Sequence, residues 1–161
     1  MEYNDHYHRQ RIRSLQAVDE LVDDIFAKLK EYGVLENTYV FYSSDNGFHI
    51  GQHRLQPGKS CGYEEDINIP LIVRGPGVAA NQTTEIVTSH TDLAPTFFDI
   101  LGIPKRDDFD GNAILITPDG INEKSQRRRE HIAVEYWGYA GGEGIFDRNN
   151  TQYTVLRFQF N

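Results

Sequence analysis

Asn37-Thr38-Tyr39-Val40-Phe41-Tyr42-Ser43-Ser44-Asp45-Asn46-Gly47 starts as a β-branched and aromatic run and stops abruptly in turn-forming residues. The run Thr38–Ser43 reads as a strand buried on both faces, the pattern of a parallel sheet. Upstream, Ile12, Leu15, Val18, Val22, Ile25 and Leu29 recur at alternating three- and four-residue steps. That spacing predicts a helix over about Arg9–Tyr32, with one apolar stripe for core packing. Leu21 and Phe26 widen the stripe, and Gly33 is the expected C-terminal stop. Downstream, Ile69–Arg74 is a second apolar run, closed by Gly75-Pro76-Gly77, and Glu85-Ile86-Val87 is a third strand candidate. Thr91 or Asp92 is placed to cap a helix that runs to about Leu101, with Pro95 in its first turn and Gly102 as its stop. Ile132–Tyr136 and Tyr153–Phe158 are further strands. The alternation places the chain in the α/β class: a mostly parallel mixed sheet with packed helices. It opens on a helix with no strand before it and closes on a strand with no cover, so an incomplete domain is expected.

Composition supports folding and narrows the partners. The chain has 161 residues, with 39% hydrophobic and 25% charged residues. Its formal net charge of -8 argues against sequence-independent nucleic-acid binding, which needs clustered cations. No stretch has the apolar length of a membrane span. The single cysteine, Cys61, excludes an internal disulfide and a thiolate zinc cluster. Asn81-Gln82-Thr83 and Asn149-Asn150-Thr151 permit N-glycosylation in a secretory route, but localisation is not legible.

The chemistry is expected where the first strand ends, since ligands of open α/β sheets collect beyond the carboxyl ends of strands. Asp45 and Asn46 offer a carboxylate and an amide oxygen side by side, and hard cations take such oxygens. Asp-Asn-Gly is also a common turn sequence. The loop that follows holds His49, His53, Arg54 and Lys59. In an acidic protein these cations point to a bound anion, or else to a solvated loop. An imidazole at His49 or His53 has the right titration range to protonate a leaving alcohol. Lining the substrate, or a structural role, is the other reading open to both.

Asn37–His53, then Gly58-Lys59, then Tyr63–Gly77, then His90-Thr91-Asp92-Leu93-Ala94-Pro95-Thr96 resemble, in order and in gaps, the second half of a sulfatase. The likeness is to arylsulfatases of the alkaline-phosphatase-like superfamily and covers about Tyr7–Trp137. It implies a partial alkaline-phosphatase-like fold, with residues 1–161 forming the C-terminal portion of a catalytic domain. It implies hydrolysis of a small-molecule sulfate ester, Asp45 and Asn46 as ligands of Ca²⁺ or another divalent cation, and Lys59 as the catalytic lysine on the sulfate oxygens. His49 and His53 are expected to line the substrate. In that family a cysteine in a Cys-x-Pro/Ser-x-Arg motif becomes the formylglycine nucleophile. Cys61 is followed by Gly62-Tyr63 with no arginine at the motif position, so it is not that residue. The nucleophile and the remaining metal ligands are expected in a missing N-terminal half. A phosphate or phosphonate ester hydrolase, or a truncated non-catalytic product, are the alternatives.

Overall fold

The computed structural model of the protein describes residues 2–59, 61–118, 132–136 and 154–157. The chain divides into two units, Met1–Pro76 with Val134–Leu156, and Gly77–Ala133 with Arg157–Asn161.

The first unit opens with helix α1 (Glu2–Glu31), longer at its start than the apolar stripe predicts. Glu2 and Asp5 in its first turn, and Lys28 and Lys30 in its last, suit the helix dipole. Its C-terminus is a Schellman turn. Gly33 sits at φ 68, the Gly33 N–H donates to Lys30 O at 3.0 Å and the Val34 N–H to Leu29 O at 3.0 Å. The stripe is not core, however: α1 has no buried residue. Val18, Val22, Phe26 and Leu29 are half-buried, while Ile12, Leu15, Leu21 and Ile25 are exposed. Periodicity locates an apolar face but not what covers it. Among the described residues no hydrophobic side chain is buried, and the buried polar or charged ones are His49, Asp66, Asp92 and Thr96.

Strand β1 (Val40–Ser43) pairs with β2 (Leu71–Arg74), in the register Val40↔Arg74 to Ser43↔Leu71. The ladder is antiparallel. This corrects the parallel neighbour expected for β1. Its residues are half-buried, not enclosed on both faces. An apolar run reports burial, whereas strand direction is set by the connection. Here the connection is a turn, a loop and the one-turn helix α2 (Glu64–Ile67), which returns the chain alongside β1. Arg74 closes β2 onto the loop after α1, donating to Leu35 O at 2.8 Å and pairing with Glu36 at 2.9 Å.

In the second unit, helix α3 (Leu93–Ile100) follows a 3-10 turn at His90–Asp92. Asp92, one of the two expected residues, is the N-cap of α3, without a side-chain cap bond, and Ser89 caps the 3-10 turn before it. The Ser89 N–H donates to Asp92 Oδ2 at 2.8 Å in a capping box. The buried Asp92 also accepts the Asn112 N–H at 2.9 Å, pinning that loop to the helix start. Gly102 at φ 65 ends α3 as expected. Glu85–Val87 forms no strand.

Strands β3 (Ala133–Tyr136) and β4 (Thr154–Arg157) form a separate two-stranded sheet. The aromatic loop after Trp137 and the sequon at Asn149 lie outside the described residues. No helix among the described residues is long and apolar enough to cross a membrane.

Candidate active site at the end of β1

Directly after β1 the chain makes a tight polar turn. The Ser44 hydroxyl donates to Asn46 O at 2.9 Å. Asp45 Oδ1 accepts the Asn46 N–H at 2.9 Å and the Ser44 hydroxyl at 3.3 Å. The backbone N–H of Asn46 chiefly, with the Asp45 N–H, the Lys59 ammonium and the Ser44 hydroxyl, holds the Asp45 carboxyl below its ordinary range, against partial desolvation. Asn46 donates its side-chain amide to Gly47 O at 2.8 Å, which leaves its carbonyl oxygen as the outward acceptor. Consecutive residues of one turn thus offer a carboxylate and an amide oxygen, donor types that fit a hard cation in part.

The next residues are fastened from both sides. The Gly47 N–H donates to Asp66 O at 2.7 Å and the Phe48 N–H to Glu65 O at 2.8 Å. The Gly47 position is required for close approach: a Cβ there would lie 1.9 Å from the Glu65 carbonyl oxygen. On the other side His49 and Gly58 exchange backbone hydrogen bonds at 2.9 and 3.1 Å. Lys59, which is exposed, follows this bridge directly, and its charge is one of the lesser influences that lower the Asp45 carboxyl. Arg11 of α1 reaches Phe48 O at 3.3 Å.

The two histidines have different surroundings. His49 is 0% exposed and Asp66 3%. The Nδ1 of His49 lies 2.8 and 2.9 Å from the two Asp66 carboxylate oxygens, so Nδ1 carries the proton. Its Nε2 is buried and has no hydrogen-bond partner among the described residues. His53 is exposed in the loop at φ 54, with Arg54 beside it at φ 64. Its ring stacks on Tyr63 at 3.9 Å and its Nε2 meets Glu65 at 3.2 Å. The structure thus places Asp45 and Asn46 in one turn after β1, sets His53 and Lys59 exposed on the loop that follows, and buries His49.

Asp66 is a residue whose part in the site is not revealed by residue type alone. Its Oδ2 also accepts the Cys61 N–H at 2.9 Å. Nothing in the spacing of His49 and Asp66 signals the pair, because it spans two loops. Ligand atoms of His49, Cys61 and Asp66 lie within 4.8 Å of one another. His49 Nδ1 and the Asp66 carboxylate are hydrogen-bonded to each other, so this cluster is a buried polar pair with a thiol neighbour.

Comparison with known proteins gives these elements a family. The family profile described as Sulfatase matches residues 2–103. "Sulfatase ppz1" of Metarhizium majus is 62% identical over 112 residues, covering 69% of this chain and 26% of the relative. The human N-acetylglucosamine-6-sulfatase is 40% identical over 139 residues, covering 86% of this chain and 25% of the relative. A protein solved in complex with its substrate D-glucosamine-2-N,6-O-disulfate matches with TM-score 0.71 and 32% identity, over 80% of this chain and 26% of that one. The phosphonate monoester hydrolase of Silicibacter pomeroyi matches with TM-score 0.65 and 28% identity, over 73% of this chain and 23% of that one. The chain spans about a quarter of the length of these relatives. The matched segment runs from α1 to the end of α3 and includes the turn and loop bearing Asp45, Asn46 and Lys59, so the chain belongs to the sulfatase family.

Proposed function

We propose that this chain forms one wall of the active site of a sulfuric ester hydrolase. The observation that supports this best is the polar turn directly after β1, in which the Asp45 carboxylate accepts the Asn46 N–H at 2.9 Å and the two candidate ligands are consecutive. Asp45 and the carbonyl oxygen of Asn46 would hold a divalent cation, with Ca²⁺ as the first candidate on the strength of its oxygen donors. When bound, such a cation polarises the sulfate oxygens. Lys59 places a compact charge where negative charge develops as the S–O bond to the leaving alcohol breaks. His53, exposed and stacked on Tyr63, lines the approach to these groups. A formylglycine nucleophile would come from outside these residues: Cys61 lacks the motif arginine.

Two similar proteins carry a glucosamine sulfate in their names, which makes sulfated glucosamine the first natural substrate class to test. Hydrolysis of a phosphonate or phosphate ester is the second reading, favoured by the likeness to the Silicibacter enzyme.

The test is a chimaera in which residues 2–103 replace the matching segment of the Metarhizium majus sulfatase. The chimaera is expected to hydrolyse an aryl sulfate, and Lys59→Ala is expected to lower kcat/KM by about 100-fold or more. A folded chimaera indifferent to Lys59→Ala removes the assignment. Faster turnover of an aryl phosphonate than of the sulfate moves it to the second reading.

A further inference from the structure

We infer that His49 and Asp66 are positioning residues: their buried hydrogen-bonded pair brackets the short segment that carries Lys59 and fixes the lysine relative to the metal-binding turn. This rests on the role proposed for Lys59. The segment is held at both ends. Gly58 is tied to the His49 backbone by two hydrogen bonds, at 2.9 and 3.1 Å. Cys61 is tied to the Asp66 carboxylate through its N–H, at 2.9 Å. Lys59 lies between these ties.

The side chains join the two ties into one unit. His49 Nδ1 meets both Asp66 oxygens at 2.8 and 2.9 Å, and both residues are buried. The Asp66 acceptor is therefore oriented by a ring that cannot leave it without stranding a buried polar group. The backbone of Asp66 also reaches the candidate metal turn. The Gly47 N–H donates to Asp66 O, one residue beyond Asn46. Asp66 thus holds the segment of the candidate lysine through its carboxylate and the turn of the candidate metal ligands through its backbone carbonyl. A rigid connection of this kind suits a site whose lysine must meet a sulfate held by the cation, where a displacement of about 1 Å can cost roughly 100-fold in rate.

The test uses the same chimaera. Asp66→Ala and His49→Ala are each expected to lower kcat/KM on an aryl sulfate by about 10- to 100-fold, largely in kcat. His49→Gln, whose amide can still donate to Asp66, is expected to recover part of the loss. The Ca²⁺ concentration for half-maximal activity is expected to stay within about twofold, because Asp45 and Asn46 keep their own turn. The deciding comparison is the double variant. Asp66→Ala added to Lys59→Ala should cost little more than Lys59→Ala alone. Fully additive losses, or a Ca²⁺ requirement that rises together with the loss in kcat, overturn the proposal. If Lys59→Ala alone has no effect, the reading of Lys59 fails first and the bracket has no catalytic meaning. Amide hydrogen exchange in the 161-residue chain gives a second measurement that needs no turnover. Asp66→Ala should speed exchange at Cys61 by at least about 10-fold while Asp45→Ala leaves it unchanged; an unchanged Cys61 amide in Asp66→Ala removes the bracket whatever the kinetics.

Discussion

The carboxylate of Asp45 accepts the backbone N–H of Asn46 at 2.9 Å, so the turn that presents the two candidate metal ligands is organised by one of them. Asp45→Asn keeps the shape and an acceptor oxygen but removes the charge that a cation needs. In the chimaera this variant is expected to lose about two orders of magnitude in turnover at low Ca²⁺ and to regain part of it at high Ca²⁺. A Ca²⁺ titration of activity checks this. A loss of equal size at every Ca²⁺ concentration would point to a damaged fold instead.

Removing the cation should act like removing its ligand. Treatment of the chimaera with a chelator is expected to abolish turnover, and Ca²⁺ to restore it. Mg²⁺ should restore it less well, since it demands a stricter octahedron at shorter distances. Full activity after exhaustive chelation would remove the metal from the proposal.

Much of the architecture is legible in residue types, but only where local chemistry decides it. The stripe from Ile12 to Leu29 and the glycine after it announce α1, and its end is a Schellman turn centred on Gly33. The direction of β1 against β2 is not legible, because an apolar run reads the same in either kind of ladder. Nor is the exposure of Ile12 and Leu15. Periodicity names a face and leaves its cover undefined. Glu85–Val87 has strand-forming residues without a ladder, and strand propensity is realised only through neighbours. At the site, Asp45, Asn46 and Lys59 were singled out by residue type and family likeness. The joining of His49 to Asp66 depends on two loops meeting, which no spacing rule encodes.

His53 gives a pH-dependent prediction through its partner. The Glu65 carboxyl is held below its ordinary value of 4.5, chiefly by its own backbone N–H and then by the hydrogen bond and charge of His53. A depressed carboxyl contributes stability that is present above its unfolded value and lost as pH falls through the lower folded value. His53→Ala should therefore move the Glu65 midpoint upward while leaving part of the depression, because the larger backbone contribution remains. The carboxyl carbon resonance of Glu65, followed from pH 7 to 2, measures this. An unmoved midpoint would show that the 3.2 Å contact carries no charge in solution.

Gly47 supplies the last prediction, and it separates two explanations of one residue. A glycine after Asp-Asn is ordinarily read as a source of positive φ. Here Gly47 is not among the positive-φ glycines. It is needed for space: a Cβ would stand 1.9 Å from Glu65 O and 2.8 Å from the carbonyl carbon. Those atoms are backbone and cannot swing away as a side chain would. Gly47→Ala must therefore push the turn off α2, breaking the 2.7 Å bond from the Gly47 N–H to Asp66 O and loosening the 2.8 Å bond from Phe48 to Glu65 O. Overpacking of this kind costs about 1–3 kcal/mol. The expected result in the chimaera is a Tm lowered by several degrees, together with faster amide exchange at residues 47 and 48. An unchanged Tm and unchanged amide exchange in Gly47→Ala would remove the close approach of residues 65 and 66 as the reason for glycine.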